Sequence, residues 1–144
     1  MDIQFKYPLI KIEQFATFDN QELNATPNIT INGGLQLGSN YNEKSLAFTV
    51  SVNIVANERL VLTLKVSSYF EISPDSWNDL KSDGFVVIPK EFLYHLGGLS
   101  ISTTRGILFA KTEGTDLNRL ILPLFYMDQL IHSDMKIPVP IITE

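Results

Sequence analysis

Leu46-Ala47-Phe48-Thr49-Val50-Ser51-Val52-Asn53-Ile54, the polar break Ala56-Asn57-Glu58-Arg59, and then Leu60, Leu62, Leu64, Val66, Phe70 and Ile72 at the same period form the stretch on which the rest of the chain depends. Strict alternation places Leu46, Phe48, Val50, Val52 and Ile54 on one face of a strand and the smaller or polar residues on the other. Two such runs joined by a short polar turn predict a β-hairpin with one apolar face. Each large side chain on that face gains about 1.5–3 kcal/mol from burial, so another part of the chain, or another copy of it, must cover it.

The flanking sequence extends this hairpin into a sheet. Residues 3–18 read as an extended segment interrupted at Pro8, with Leu9, Ile10, Ile12, Phe15 and Phe18 supplying apolar contacts in an imperfect alternation that predicts a bulge or an edge position. Residues 19–28 are polar and turn-prone and read as a long connection. Ile29-Thr30-Ile31-Asn32 and Leu35-Gln36-Leu37 alternate on both sides of Gly33-Gly34, which predicts a strand with a bulge or bend at the glycines, followed by a turn at Gly38-Ser39-Asn40. Four antiparallel strands over about residues 3–72 result.

Beyond Ile72 the pattern becomes helical. Ser73 or Asp75 can cap a short helical turn with Trp77 and Leu80 on its inner side, ended by Gly84. Phe85-Val86-Val87-Ile88 is short enough for a strand, and Pro89 suits the first position of a helix. From Pro89 to Gly114 there is no further proline, and Phe92, Leu96, Leu99, Thr103, Gly106 and Ala110 fall at helical spacing, which predicts a long helix capped around Lys111–Gly114. Gly97, Gly98 and Gly106 each weaken that helix by about 1 kcal/mol relative to alanine. Small residues here permit either close packing on the sheet or close approach of a second helix in an oligomer, which makes Gly97, Gly98, Ser102 and Gly106 interface candidates.

Composition bounds the function. A chain of 144 residues, 44% hydrophobic and 19% charged, is large enough for one globular domain with its own core. A net charge of −5 argues against sequence-independent nucleic-acid binding, which draws its affinity from Lys and Arg. There is no cysteine, which removes thiol nucleophiles, disulfides and sulfur metal ligands and suits a reducing cytoplasm. The N-terminal residues carry an early acid and no apolar run of signal-peptide length. Leu120–Met127 is far short of the ~20 residues needed to span a bilayer, so no membrane insertion is expected. Asn24-Ala25-Thr26 and Asn28-Ile29-Thr30 match the glycosylation pattern and read as chance matches without a secretory signal.

No catalytic constellation emerges, and none is expected. His95 and His132 are the only imidazoles; Glu91 with His95 offers two metal ligands and no third. Neither glycine pair belongs to a phosphate-binding motif. No cofactor or metal is expected.

Leu99-Ser100-Ile101-Ser102-Thr103-Thr104-Arg105-Gly106-Ile107-Leu108-Phe109-Ala110-Lys111-Thr112-Glu113-Gly114-Thr115, followed by Leu120-Ile121-Leu122-Pro123, Tyr126 and Leu130, resembles the C-terminal half of the SecB export-chaperone family. The resemblance covers residues 5–132, and its specific part residues 96–130. It implies an α+β, SecB-like fold: a four-stranded antiparallel sheet, a long helix and a short C-terminal helix, with helical residues at 75–133 and an extended tail at 134–144. It further implies a cytoplasmic homotetramer, a dimer of dimers, that acts without ATP as a holdase for unfolded polypeptides such as preproteins for export. By position, the groove walls are residues 19–34 and 124–132, with Ile29, Ile31, Leu35, Phe125, Tyr126, Leu130 and Ile131 as client-binding candidates. Each of these also reads as ordinary core.

The sequence departs from the family at two places. Where the family presents acidic residues to the SecA motor, this chain has Gln14-Phe15-Ala16-Thr17-Phe18 with only Glu13 and Asp19 flanking it, which leaves SecA docking open and in doubt. The polar, acidic tail is replaced by Lys136-Ile137-Pro138-Val139-Pro140-Ile141-Ile142-Thr143-Glu144, an apolar segment that can fold back onto the groove or a neighbour. Two other functions fit the same residues: a chaperone dedicated to the antitoxin of a toxin–antitoxin system, and a ligand-binding or structural scaffold that reuses the fold.

Overall fold

The alternating stretch forms the central hairpin of a four-stranded antiparallel sheet in a computed structural model that describes residues 2–18, 28–119 and 125–141. The strands are β1 (Phe5–Thr17), β2 (Ile29–Asn40), β3 (Ser45–Ala56) and β4 (Arg59–Ile72), in spatial order β1-β4-β3-β2. Asn57 and Glu58 join β3 to β4 with φ of 52° and 68°. Positive φ at both central residues matches the right-handed twist of the flanking strands. Apart from Asn28, the polar connection read at residues 19–28 lies outside the described residues, as does Leu120–Leu124.

Three details of the sheet differ from the sequence expectation. Pairing between β2 and β3 runs from Ile29 opposite Ala56 to Asn40 opposite Ser45 without a register shift, so no bulge forms at Gly33-Gly34. The strand continues through Gly38-Ser39-Asn40, and the turn is Tyr41–Lys44. On β4 a shift places Leu62 opposite Ile54 and Leu60 opposite Val55, leaving Val61 as the extra residue. The shift turns Leu60 outward, 42% exposed, and brings Val61 into the core. As expected, β1 is an edge strand, with shifts between Lys6 and Leu9 and between Ile12 and Gln14.

One face of the sheet is covered by α2 (Lys90–Lys111), reached through α1 (Pro74–Asp79) and a hairpin of β5 (Lys81–Ser82) and β6 (Phe85–Ile88). Ser73 caps α1 by accepting the Ser76 N–H at 3.3 Å, which turns Trp77 and Leu80 inward. Pro89 directly precedes the first helical residue, and Phe85–Ile88 is a strand. Among the described residues, the apolar tail packs on the hairpin of its own chain. Its residues Met135–Pro138 form β7, which pairs antiparallel with β6 and buries Ile137.

The inner face of α2 carries Leu93, Leu96, Gly97, Ser100, Ile101, Thr104 and Leu108, so the stripe read from the sequence is rotated. Phe92, Leu99 and Thr103 are only half-buried, and Gly106 and Ala110 are exposed. Buried hydroxyls make this inner face possible. Ser100 and Thr104 donate to the carbonyls of Leu96 and Ser100, each at 2.8 Å, so neither hydroxyl is stranded against the sheet. The Tyr7 hydroxyl lies 2.6 Å from Ser68 Oγ and donates to Thr103 Oγ1 at 3.0 Å, tying β1, β4 and α2 together.

The core divides along the long axis of the sheet. One end contains Phe48, Phe70, Trp77, Leu80, Ile88 and Leu93 and is enclosed by α1 and the β5-β6-β7 sheet. The other contains Val50, Ile54, Leu62, Leu64, Ile101 and Leu108 and meets the 3-10 turn Asp116–Arg119 through Leu117. No helix among the described residues is long and apolar enough to cross a membrane.

Candidate polypeptide-binding groove

Alternation along β2 and its in-register pairing with β3 send Ile29, Ile31, Gly33, Leu35 and Leu37 to the side facing α2, opposite Ala56, Ile54, Val52, Val50 and Phe48. Ile29, Ile31 and Leu35 are half-buried there and pack on the aliphatic end of the core. Phe125, Met127 and Leu130 pack on the same cluster from the C-terminal side, where α3 (Met127–Leu130) is a single short turn. Five of the seven client-binding candidates, Ile29, Ile31, Leu35, Phe125 and Leu130, therefore meet on one apolar wall between β2 and the α2 side.

The other two are placed differently. Tyr126 points away, 63% exposed, while Ile131 is 5% exposed within the aromatic-rich core. The Ile131 carbonyl accepts the Tyr94 hydroxyl at 3.2 Å, which anchors the C-terminal side of α3 to α2. Ile131 is a core residue and holds the wall in position.

Two glycines shape this wall, and only one was among the candidates. A methyl group on Gly33 would collide with the Phe125 ring, which occupies that space. A methyl group on Gly97 would stand 2.7 Å from Met127 Sδ, with Ile131 and Phe48 also close. Gly33 lies in a strand interior without a bulge, where the missing side chain admits a close approach. A glycine pair in an alternating strand was the sequence signal for this feature. The ring that meets Gly33 belongs to Phe125, over ninety residues later, and could not be paired with it by spacing.

The remaining interface candidates separate by face. Gly97 is buried against Met127, whereas Ser102 and Gly106 are exposed, Gly98 is half-buried, and neither Gly98 nor Gly106 has a heavy atom within 4 Å of an added methyl. Gly98, Ser102 and Gly106 thus share the outward side of α2, and Phe109 continues it at 63% exposure. Leu9, Ile10 and Ile12 are exposed on the edge strand β1.

The opposite face of the sheet has another chemistry. An open depression of about 530 Å³ is lined by Glu13, Gln14, Gln36, Thr49, Lys65, Ser67 and Tyr69. Thr49 and Ser67 hydroxyls lie 2.8 Å apart, and Thr63 donates to Asn53 Oδ1 at 2.7 Å. This surface satisfies itself with hydroxyl and amide pairs and offers little to an apolar chain. His95, exposed on α2, sits edge-on to Phe5 with ring centroids 6.0 Å apart.

No family model matches the sequence, and no curated protein matches it. Among solved structures, the chain is similar to the SecB-like chaperone Rv1957 of Mycobacterium tuberculosis, solved in complex with a ChAD peptide from the Rv1956 HigA1 antitoxin. That match covers 84% of this chain and 90% of the other, with a TM-score of 0.54 and 12% identity. A protein of unknown function from Streptococcus agalactiae is also similar, with 14% identity over 88% of this chain and 100% of that one and a TM-score of 0.40. The chain has a SecB-like fold, as its C-terminal sequence implied. At 12% identity the likeness is one of fold alone.

Proposed function

We propose that this protein is a SecB-like holdase: a binding protein without a catalytic step that sequesters apolar segments of non-native polypeptides without ATP. The observation that carries this reading is the half-buried wall of Ile29, Ile31, Leu35, Phe125 and Leu130 on the inner side of a SecB-like sheet. Apolar area removed from water is non-directional, so a wall of this kind accepts many sequences. The working unit is a homotetramer in the cytoplasm. Support for self-association comes from the exposed edge of β1 and the outward Gly98, Ser102 and Gly106.

A chaperone dedicated to one partner is the second reading, favoured by the similar M. tuberculosis chaperone, which was solved with an antitoxin peptide. Preproteins for export belong to the first reading, and an unstable antitoxin belongs to the second. One experiment separates them: aggregation of several unrelated unfolded proteins is followed by light scattering while this protein is added without ATP. Suppression of all clients at a fixed ratio per oligomer supports the general holdase. Suppression of none sinks it and leaves the dedicated partner, sought by co-expression with candidate antitoxins, or a scaffold that reuses the fold.

A further inference from the structure

The groove of the free protein already holds apolar side chains, and they are its own. Phe125 fills the space over Gly33 of β2, and Met127 fills the space against Gly97 of α2. Both walls therefore lack a side chain where this one segment inserts. The inserted groups are a ring and a thioether, the ends of flexible side chains, and not backbone. Between and beyond them Tyr126, Asp128 and Gln129 are exposed. The backbone bonds from Gln129 N–H to the Tyr126 carbonyl and from Ile131 N–H to the Met127 carbonyl, at 3.0 and 2.7 Å, are local to the segment. No side chain caps α3. Among the described residues, long-range anchors lie at its C-terminal side, in Ile131 with Tyr94 and in β7 paired with β6.

We propose that Phe125–Leu130 is an internal client. Phe125 and Met127 occupy two seats, over Gly33 and against Gly97, which a bound polypeptide takes when it carries an aromatic residue and a long apolar residue two positions later. The segment leaves by turning about Ile131, so occupancy by self sets a threshold that weak apolar segments do not pass. This rests on the holdase reading and adds to it both a preferred client pattern and a regulated groove. A competitor tethered in cis lowers apparent affinity by the fraction of molecules in which the seats are free.

The test uses a synthetic peptide copying residues 125–132 and the double variant Phe125→Ala/Met127→Ala of the full chain. Emptying both seats is expected to tighten peptide binding about tenfold relative to the unmodified protein, the factor for seats free one-tenth of the time. The same peptide with Ser at its Phe and Met positions is expected not to bind. Equal or weaker binding to the double variant overturns the proposal and makes Phe125 and Met127 ordinary wall or core. A second measurement does not depend on that variant folding. The cysteine-free chain accepts a single Asp128→Cys carrying an environment-sensitive dye. Gly33→Ala, which drives Phe125 off its seat, is expected to shift the dye emission to the same value as saturating peptide, as the segment that carries the dye leaves the wall. Emission unchanged by both overturns the proposal. If the seats respond as expected while aggregation of unfolded proteins is not suppressed, the holdase reading fails and the seats stand. If aggregation is suppressed but the seats do not respond, the holdase stands and the internal client fails.

Discussion

The two ends of the inner sheet face are built from the same alternation and closed in different ways. At one end Leu46, Phe48, Phe70 and Ile72 are sealed by Trp77, by a hairpin and by β7, with Phe48 and Phe70 rings packed edge to face at 5.5 Å. At the other end Val50, Ile54, Leu62 and Leu64 are equally buried, but the side chains above them, Ile29, Ile31, Phe125 and Leu130, remain half-exposed. Aromatic rings and paired strands make a closed lid, because each buries large area and satisfies its backbone. A single helical turn does neither. One end of the face is therefore a closed foundation and the other a partly open apolar surface.

Substitutions can break or sharpen this contrast. The largest effect is expected at the sealed end: Trp77→Ala removes a buried anchor, so stability falls by about 3–5 kcal/mol in urea unfolding. A loss under 1 kcal/mol would show that the sealed end is no foundation. Tyr7→Phe deletes the hydroxyl shared by Ser68 and Thr103 and is expected to cost about 1–2 kcal/mol, again by denaturant midpoint, with client binding unchanged.

On the outward side of α2, Gly106→Ala meets open space and is expected to raise helix stability by about 1 kcal/mol in an unassociated chain. If that side packs against a second helix, the substitution instead lowers the oligomer mass seen by sedimentation. At the open end, Ile31→Ser is expected to cost about 1 kcal/mol or less, since the residue is only half-buried, yet to weaken holdase activity several-fold. A large stability loss with unchanged activity would make Ile31 core and erase the contrast. The smallest effect belongs to the hairpin turn. Glu58 at φ 68° is a strained choice, and Glu58→Gly is expected to stabilise by about 0.5–1 kcal/mol, visible as a rise in melting temperature.

Much of the architecture was legible because it rests on local rules. Period-two alternation marked β3 and β4, Ser73 marked the start of α1, and a proline-free run bounded α2. The rotation of the α2 stripe was not legible, because Ser100 and Thr104 look polar in sequence. They become core residues only by donating to carbonyls four residues back. The bulge at Val61 was hidden for a related reason, since either Leu60 or Val61 fits an apolar position and only pairing with Ile54 and Val55 decides between them. At the site, position along the chain picked out Ile29, Ile31, Leu35, Phe125 and Leu130. Burial then separated Tyr126 and Ile131 from that group.

The sequence by itself determined that this chain makes a hairpin with one apolar face and a long helix able to cover it, because alternation, capping and helix propensity act over a few residues. Tertiary structure alone decided that Gly33 and Gly97 are seats for Phe125 and Met127, that the apolar tail completes a second sheet, and which glycines of α2 face outward. Those outcomes depend on which distant side chains compete for the same volume, and no local pattern in the sequence encodes that competition.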